Sequence, residues 1–91
     1  MRVIFDEAKR QWTLDHRGLD FLDAPKILRG RYIVQEDDRK LYSEPRYQTY
    51  GHLNERLVMF AWTPIKGGIR VFSMRKCNER EQQKFEHRVG R

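Results

Sequence analysis

Positive charge collects where a strand is expected to meet a helix, in the stretch IRVFSMRKCNERE from Ile69 to Glu81. Arg70 lies within the alternating part of this stretch, and Arg75 and Lys76 follow where the strand should end. The free backbone amides of a helix N-terminus attract a phosphate, and a planar guanidinium can bind two phosphate oxygens at once. We therefore interpret this junction as a phosphate-binding site.

Alternation along the same strand predicts which side chains accompany Arg70. A period of two gives one face to Arg70, Phe72 and Met74 and the other face to Ile69, Val71 and Ser73. A guanidinium among apolar neighbours must be paired with an acid or must line a groove. The alternative interpretation is that Arg70 pairs with Glu44 or with a helix carboxylate while the neighbouring cations are solvated.

A second cation stands beside a carboxylate in the segment SEPRY, where Arg46 follows Glu44. This segment opens the third expected strand. If that strand lies near the last one, across the central strand, Arg46 and Arg70 flank one groove. The prediction is one anion-binding groove built from Arg46, Arg70 and Arg75.

Cleavage of RNA without a metal needs a base for the 2'-hydroxyl, fixed positive charge for the phosphorane and an acid for the leaving 5'-oxygen. His16 is the best acid or base by residue type, because imidazole titrates near neutral pH, and Glu44 or Glu81 could replace it. The competing interpretation of His16 is a cap or a surface residue near a helix end. No metal site or cofactor is expected, because the spacing of His52, His87 and Cys77 matches no zinc pattern.

Aromatic side chains could stack on the splayed bases of single-stranded RNA. The candidates are Tyr42, Tyr47, Tyr50 and Trp62. Because aromatic residues in strands are usually part of the core, we expect only one or two of them to touch RNA.

The distribution of charge favours a polyanionic partner. The net charge of the chain is +6, and all of this excess lies in residues 46 to 91, which hold ten Lys or Arg against four Asp or Glu. Such a surface attracts nucleic acid, although it could also serve solubility or bind an acidic protein.

The 91 residues suffice for one small domain. Cys77 is the only cysteine and no charged-then-apolar leader opens the chain, so a cytoplasmic location is expected. The longest apolar run, LVMFAW, is far too short to span a membrane, which requires about 20 residues.

Three helices are predicted from capping residues and turn signals. The first runs from Glu7 to Arg17 after Asp6 and ends at Gly18. The second is capped by Asp20 or, preferably, Asp23, and runs through Arg29 to Gly30. The third begins at a capping box of Asn78 and Glu81 and runs to about His87.

A short strand, RVIF, precedes these helices, and four sequential antiparallel strands separate the second helix from the third. The strands of one hairpin meet at Asn54 and Glu55, and the apolar run LVMFAW indicates a central strand covered on both faces. The prediction is an α+β domain with the sheet on one side and the helices on the other.

Taken together, these segments resemble the BrnT toxins of type II toxin-antitoxin systems. The resemblance begins at FDEAKR, continues through RGLDFLDA, EDDR and SEPRYQTYG, and is strongest over VMFAWTP and IRVFSMRKCNERE. It implies one BrnT-like toxin domain over residues 1–91 with a RelE-like fold, in which two N-terminal helices and one C-terminal helix pack on an antiparallel sheet. The family's frequent Lys-His-Gly after the first helix appears here as His16-Arg17-Gly18.

The resemblance also implies partners. Such a toxin cleaves RNA and is held inactive by a BrnA-like antitoxin. Family members form toxin-antitoxin heterotetramers, so the resemblance implies a heterotetramer here. DNA is contacted only indirectly, through the antitoxin, and no membrane is involved. 

The main hypothesis is a metal-independent endoribonuclease. Its expected catalytic residues are Arg46, Arg70, Arg75, His16 and Glu44, and its expected RNA-binding residues are Arg17, Lys76, Arg80 and Tyr42. The first alternative is a non-catalytic basic module that only binds nucleic acid, and the second is an interaction protein that meets an acidic partner.

Overall fold

The computed structural model describes residues 1–90, and its elements follow the predicted order. They are β1 (Arg2–Ile4), α1 (Glu7–Arg17), a short 3-10 turn (Phe21–Asp23), α2 (Ala24–Arg29), β2 (Tyr32–Glu36), β3 (Tyr47–Leu53), β4 (Arg56–Ile65), β5 (Gly68–Lys76) and α3 (Glu79–Val89). Arg91, the last residue of the expected domain, lies outside the described residues. Within residues 1–90 no helix has the length and apolar character needed to cross a membrane.

The strands form one mixed sheet in the order β1-β5-β4-β3-β2. Strands β2 to β5 pair antiparallel with their neighbours in the chain, as predicted. Strand β1 instead runs parallel to β5, with Arg2 opposite Gly68 and Ile4 opposite Arg70. The prediction of a purely antiparallel sheet is therefore wrong at this edge. No hairpin joins β1 to β5, so no turn forces these two strands to run in opposite directions.

Helices cover both faces of the sheet, so the prediction that all helices lie on one side is wrong. Phe21, Ala24 and Ile27, from the 3-10 turn and α2, pack with Val58 and Phe60 of β4. On the other face, the α3 residues Phe85 and Val89 pack with Leu57 and Met59 of the same strand. The predicted burial of β4 on both faces is confirmed, and it requires a helical layer on each side.

A β-bulge interrupts the alternation of β5. Ala61 pairs with Ser73 and Trp62 pairs with Val71, which leaves Phe72 as the extra residue. Beyond the bulge the pattern is shifted by one position, so Met74 joins Ile69 and Val71 in the first core cluster. The predicted face shared by Arg70 and Met74 is therefore wrong.

The bulge decides where the two cations of β5 lie. Arg70 pairs with Thr63 and Arg75 with Met59, and these β4 residues point to one face of the sheet. Strict alternation would have placed Arg70 and Arg75 on opposite faces, because they are five positions apart. Arg70 is also exposed rather than surrounded by apolar side chains.

The predicted ends of α1 and the predicted start of α3 are confirmed, and α3 ends two residues later than predicted. Asp6 accepts a hydrogen bond from the Lys9 amide at 3.0 Å, and Gly18 takes a left-handed φ of 67°. Asn78 and Glu81 form the capping box of α3, which continues to Val89.

The preferred cap of the second helix is only partly correct. Asp23 precedes α2 but makes no capping hydrogen bond with its side chain. Asp20 caps the preceding 3-10 turn instead, by accepting from the Leu22 amide at 2.9 Å. Asp20 cannot cap α2 because the three residues of the 3-10 turn lie between them.

Candidate active site

The guanidinium of Arg46, just before β3, is held between two aromatic rings. Its central carbon lies 4.3 Å from the ring centroid of Tyr42 and 4.0 Å from that of Phe72. It is also paired with Glu44, with Nη2 of Arg46 3.0 Å from Oε1 of the carboxylate. Since Phe72 is the residue that the bulge inserts, the irregularity of β5 supplies one wall of this clamp.

The Tyr42 wall of the clamp is anchored by a buried carboxylate. The Tyr42 hydroxyl donates to Oδ2 of Asp37 at 3.1 Å, and Arg39 donates to both oxygens of Asp37 at 2.8 and 2.9 Å. Asp37 is buried, and the hydrogen bonds from Arg39 are the main cause that lowers its pKa to about 2. The segment between β2 and β3 is thereby tied in place beneath Arg46.

The backbone of Arg70 is paired in the sheet, but its side chain is exposed and forms no hydrogen bond or ion pair within residues 1–90. Its charge nevertheless reaches Glu44. The pKa of Glu44 is lowered mainly by the hydrogen bond from Ser43, then by Arg46, and further by the charge of Arg70. Glu44 is therefore ionised at neutral pH, and it can accept a proton but has none to donate.

Arg75 lies farther along the same face and is bound to a carboxylate. Its guanidinium donates to both oxygens of Glu81 at 2.7 and 2.8 Å. This contact lowers the pKa of Glu81 and raises that of Arg75. The β4 partners of Arg70 and Arg75 are four residues apart, about 13 Å along a strand.

The structure thus divides the predicted anion site into two ends. Arg46 and Arg70 lie with Glu44 at one end of the exposed part of β5, and Arg75 lies with Glu81 at the other. Two of the three guanidiniums carry a carboxylate partner, which leaves Arg70 as the one whose charge is not paired within residues 1–90.

His16 lies at the Arg75 end. Its ring stacks on Trp12 at 4.5 Å, and its Nδ1 is 2.9 Å from the Trp12 carbonyl oxygen. A carbonyl can only accept, so Nδ1 carries the hydrogen and Nε2 holds the lone pair of the neutral ring. His16, Arg17, Arg75 and Lys76 line an open cavity of about 370 Å³.

The predicted RNA-binding residues are distributed over both ends. Arg17 donates from Nη1 to the Met74 carbonyl at 2.9 Å. This N–H group is therefore used within the fold and is not available to RNA. Lys76 and Arg80 are exposed at the end of β5 and in the first turn of α3. Tyr42 lies on Arg46 at the other end.

Of the other predicted stacking residues, one is in the interior and two are half-buried and pack against each other. Tyr50 is buried and stacks on Phe85 at 4.1 Å. Tyr47 packs against Trp62 at 5.0 Å, and the Trp62 indole donates to the Thr49 hydroxyl at 2.8 Å. Tyr42 is the one of these four aromatics whose ring lies against the guanidinium of Arg46.

Sequence reasoning missed three residues of this region. Phe72 was assigned to the regular face of a strand, Asp37 to an acidic turn, and Trp12 to the stripe of a helix. The four-residue spacing of Trp12 and His16 on α1 was the available signal for their stacking. Nothing in the sequence marks Asp37 as buried, because its partner Tyr42 lies within an irregular segment.

The remaining nucleophilic and metal-binding residue types do not assemble a further site. Burial is the main cause that raises the pKa of Cys77 to about 12, so this thiol stays protonated. No group of three or more His, Cys, Asp or Glu side chains in residues 1–90 is arranged to hold a metal ion.

Comparison with protein families supplies the identity. Residues 5–81 match the family described as the ribonuclease toxin, BrnT, of type II toxin-antitoxin systems. The chain belongs to the BrnT family. The matched range contains both ends of the site, from His16 to Glu81, and it confirms the resemblance inferred from the sequence. As a BrnT family member the chain is a toxin with an RNA substrate and an antitoxin partner. No curated protein sequence matches it significantly.

Proposed function

We propose that this chain is a metal-independent endoribonuclease toxin whose cleavage of RNA inhibits translation and growth. A BrnA-like antitoxin neutralises it in a heterotetramer, in the cytoplasm, and the domain over residues 1–91 has a RelE-like arrangement. The observation that supports the catalytic part is the pair formed by Arg46 and Arg70. One guanidinium is fixed between two rings, and the other is exposed and unpaired within residues 1–90.

The scissile phosphate binds between these two cations. Arg46 is preorganised by Tyr42 and Phe72, so it need not reorient when charge develops on the phosphorane. Arg70 has no carboxylate partner within residues 1–90 that it must release first, so its charge is available to a phosphate oxygen. Positively charged groups that are positioned in advance stabilise a transition state more than mobile ones.

Glu44 accepts the proton of the attacking 2'-hydroxyl. It is held by Arg46 at 3.0 Å and is ionised at neutral pH, as a base must be, although its lowered pKa makes it a weaker base than an ordinary carboxylate. The 2'-oxygen forms a bond to phosphorus, the bond from phosphorus to the 5'-oxygen breaks, and the leaving oxygen takes a proton from water. His16, Arg75, Arg17, Lys76 and Arg80 act on RNA beyond this phosphate.

The test compares cleavage of total RNA by wild type and Arg70→Ala with EDTA present. We expect a loss of about 100-fold or more in rate, as is usual when a group that stabilises the charge of the transition state is removed. Arg29→Ala is the matched control, because Arg29 is an exposed arginine in α2, on the opposite face of the sheet. Full activity in Arg70→Ala would contradict the proposed site.

One observation favours a second candidate, a basic module that binds RNA without cutting it. Arg46 and Arg75 are both neutralised by carboxylates, which weakens their pull on a phosphorane. This candidate predicts salt-sensitive RNA binding and intact RNA after long incubation. The same incubation in EDTA separates the two functions.

A further inference from the structure

One side of β5 is open for two thirds of its length, from Val71 to Lys76. Strand β1 pairs only with the segment from Gly68 to Arg70, and among residues 1–90 no other strand lies on that side. Helix α1 runs beside the open part and contacts it through Arg17, which donates to the Met74 carbonyl. A groove is left between the helix and the strand edge.

Three cavities make up this groove, with volumes of about 310, 200 and 370 Å³. The first two share Lys9 and Phe72, and the last two share Arg17, so the space is continuous along β5. It starts at Arg70 and Phe72, beside the Arg46 clamp, and reaches Arg75 at its other end. The groove therefore connects the two ends of the candidate active site.

The lining of the groove is strongly basic. Its cations are Lys9, Arg17, Arg70, Arg75 and Lys76. Asp6 is the one carboxylate among the lining residues of these three cavities, and it already accepts the Lys9 amide as the cap of α1. A polyanion that enters the groove meets an excess of positive charge along its whole length.

A stack of flat rings lies exposed between the middle of the groove, at Trp12, and its Arg75 end, at His16. Trp12 is 49% exposed, His16 stacks on it with an interplanar angle of 14°, and the Arg17 guanidinium is 5.1 Å from the Trp12 ring centroid. An exposed ring stack is a surface on which a nucleobase can continue the stacking. Tryptophan is highly buried on average in folded proteins, so a Trp12 that is half exposed is unusual.

We propose that the groove between α1 and β5 binds single-stranded RNA next to the cleaved phosphate. A base stacks on the pair Trp12 and His16, while Lys9 and Lys76 contact phosphates. The assignment of this RNA as the substrate rests on the proposed ribonuclease function. A protein strand is a poorer occupant, because the Arg17 side chain already binds the Met74 carbonyl at the open edge.

The test measures binding of a fluorescent single-stranded RNA of about 12 nucleotides, within the usual span of such sites. Its 2'-O-methyl groups prevent cleavage by 2'-hydroxyl attack, so failure of the ribonuclease chemistry does not affect the result. We expect Trp12→Ala to weaken binding about tenfold. Tyr32→Ala, which removes a comparably exposed aromatic on β2, should leave binding unchanged.

Salt dependence tests the phosphate contacts separately. In Lys9→Ala the slope of log affinity against log salt should fall by about 0.7, the value for one lost contact to a single strand. Arg29→Ala should keep the wild-type slope. Thermal unfolding of each variant checks that the fold is retained.

Two results would overturn the proposal. The first is wild-type RNA affinity in both Trp12→Ala and Lys9→Ala. The second is a loss of affinity for the antitoxin in these variants with RNA binding unchanged, which would make the groove a protein-binding site. Loss of RNA cleavage with normal binding of the methylated RNA would instead count against the ribonuclease proposal alone.

Discussion

The guanidinium carbon of Arg46 lies 4.0 Å from the ring centroid of Phe72, the residue that the bulge inserts into β5. A regular strand would have no extra residue at this position, and Arg46 would lose one wall of its clamp. The bulge therefore has two effects. It supplies a wall of the Arg46 clamp, and it brings Arg70 and Arg75 to the same face of the sheet.

Replacing Phe72 should lower activity by loosening Arg46. Phe72→Leu removes the aromatic face, and a cation-aromatic contact contributes about 0.5 to 1 kcal/mol, so RNA cleavage should slow by about two- to fivefold. Phe72→Tyr keeps the ring and should retain wild-type activity. Initial cleavage rates check both variants, and equal rates in wild type and Phe72→Leu would show that the ring does not position Arg46.

The carboxylate of Asp37 should make stability depend on acid pH. Its pKa is about 2 in the folded chain against an ordinary 3.8, so the contribution of the ionised form is present above pH 3.8. It is lost as the pH falls toward 2. We expect a loss of about 1 kcal/mol of unfolding free energy, because the partner Arg39 is exposed and screened.

Asp37→Asn should be less stable than wild type at neutral pH and should lack this part of the acid dependence. Urea unfolding at several pH values measures the free energy of unfolding of both proteins. An identical acid profile in wild type and Asp37→Asn would contradict the role given to this carboxylate.

Glu81 stabilises the start of α3 in two ways that substitutions can separate. Its Oε1 accepts from the Asn78 amide at 3.0 Å and from Arg75 at 2.7 Å. Glu81→Ala loses both contacts and should cost about 2 kcal/mol of unfolding free energy. Glu81→Gln can still complete the capping box and should cost about 1 kcal/mol. Equal losses in the two variants, measured by urea unfolding, would show that the cap contributes nothing.

Gly68 permits the close approach of β1 to β5. A Cβ atom at Gly68 would lie 1.8 Å from the Arg2 carbonyl oxygen, so Gly68→Ala must push the strands apart. We expect a loss of about 3 kcal/mol in unfolding free energy. Gly30→Ala is the matched control, since the nearest atom to its added Cβ is at 3.8 Å. A Gly68→Ala protein as stable as Gly30→Ala would refute this account of the β1 edge.

Features with local causes could be predicted from the sequence. The caps at Asp6 and Asn78 depend on contacts within one helical turn. The hairpin at Asn54 and Glu55 forms although glycine is absent, with φ values of 51° and 67°. The unbroken apolar run of β4 correctly indicated burial on both faces. This inference needs only the residues of β4 and no knowledge of its partner strands.

Features that depend on distant partners could not be predicted. The bulge at Phe72 reflects the register between β4 and β5. Two consecutive apolar residues, Val71 and Phe72, interrupt the alternation of the sequence, but they do not tell which residue is left unpaired. The parallel pairing of β1 depends on where the chain returns in β5, after three intervening strands. The candidate site is the part that is hardest to predict. A register shift separates its two ends, and this shift decides whether Arg75 lies on the same face of the sheet as Arg70.

The most direct test of the central claim is the chemistry of the RNA ends produced by the purified chain with EDTA present. Attack of the 2'-oxygen with departure of the 5'-oxygen leaves a 2',3'-cyclic phosphate on one fragment and a 5'-hydroxyl on the other, and mass spectrometry distinguishes these ends. We predict these two ends in wild type and their loss in Arg70→Ala. Fragments with 3'-hydroxyl and 5'-phosphate ends, or uncut RNA, would contradict the account.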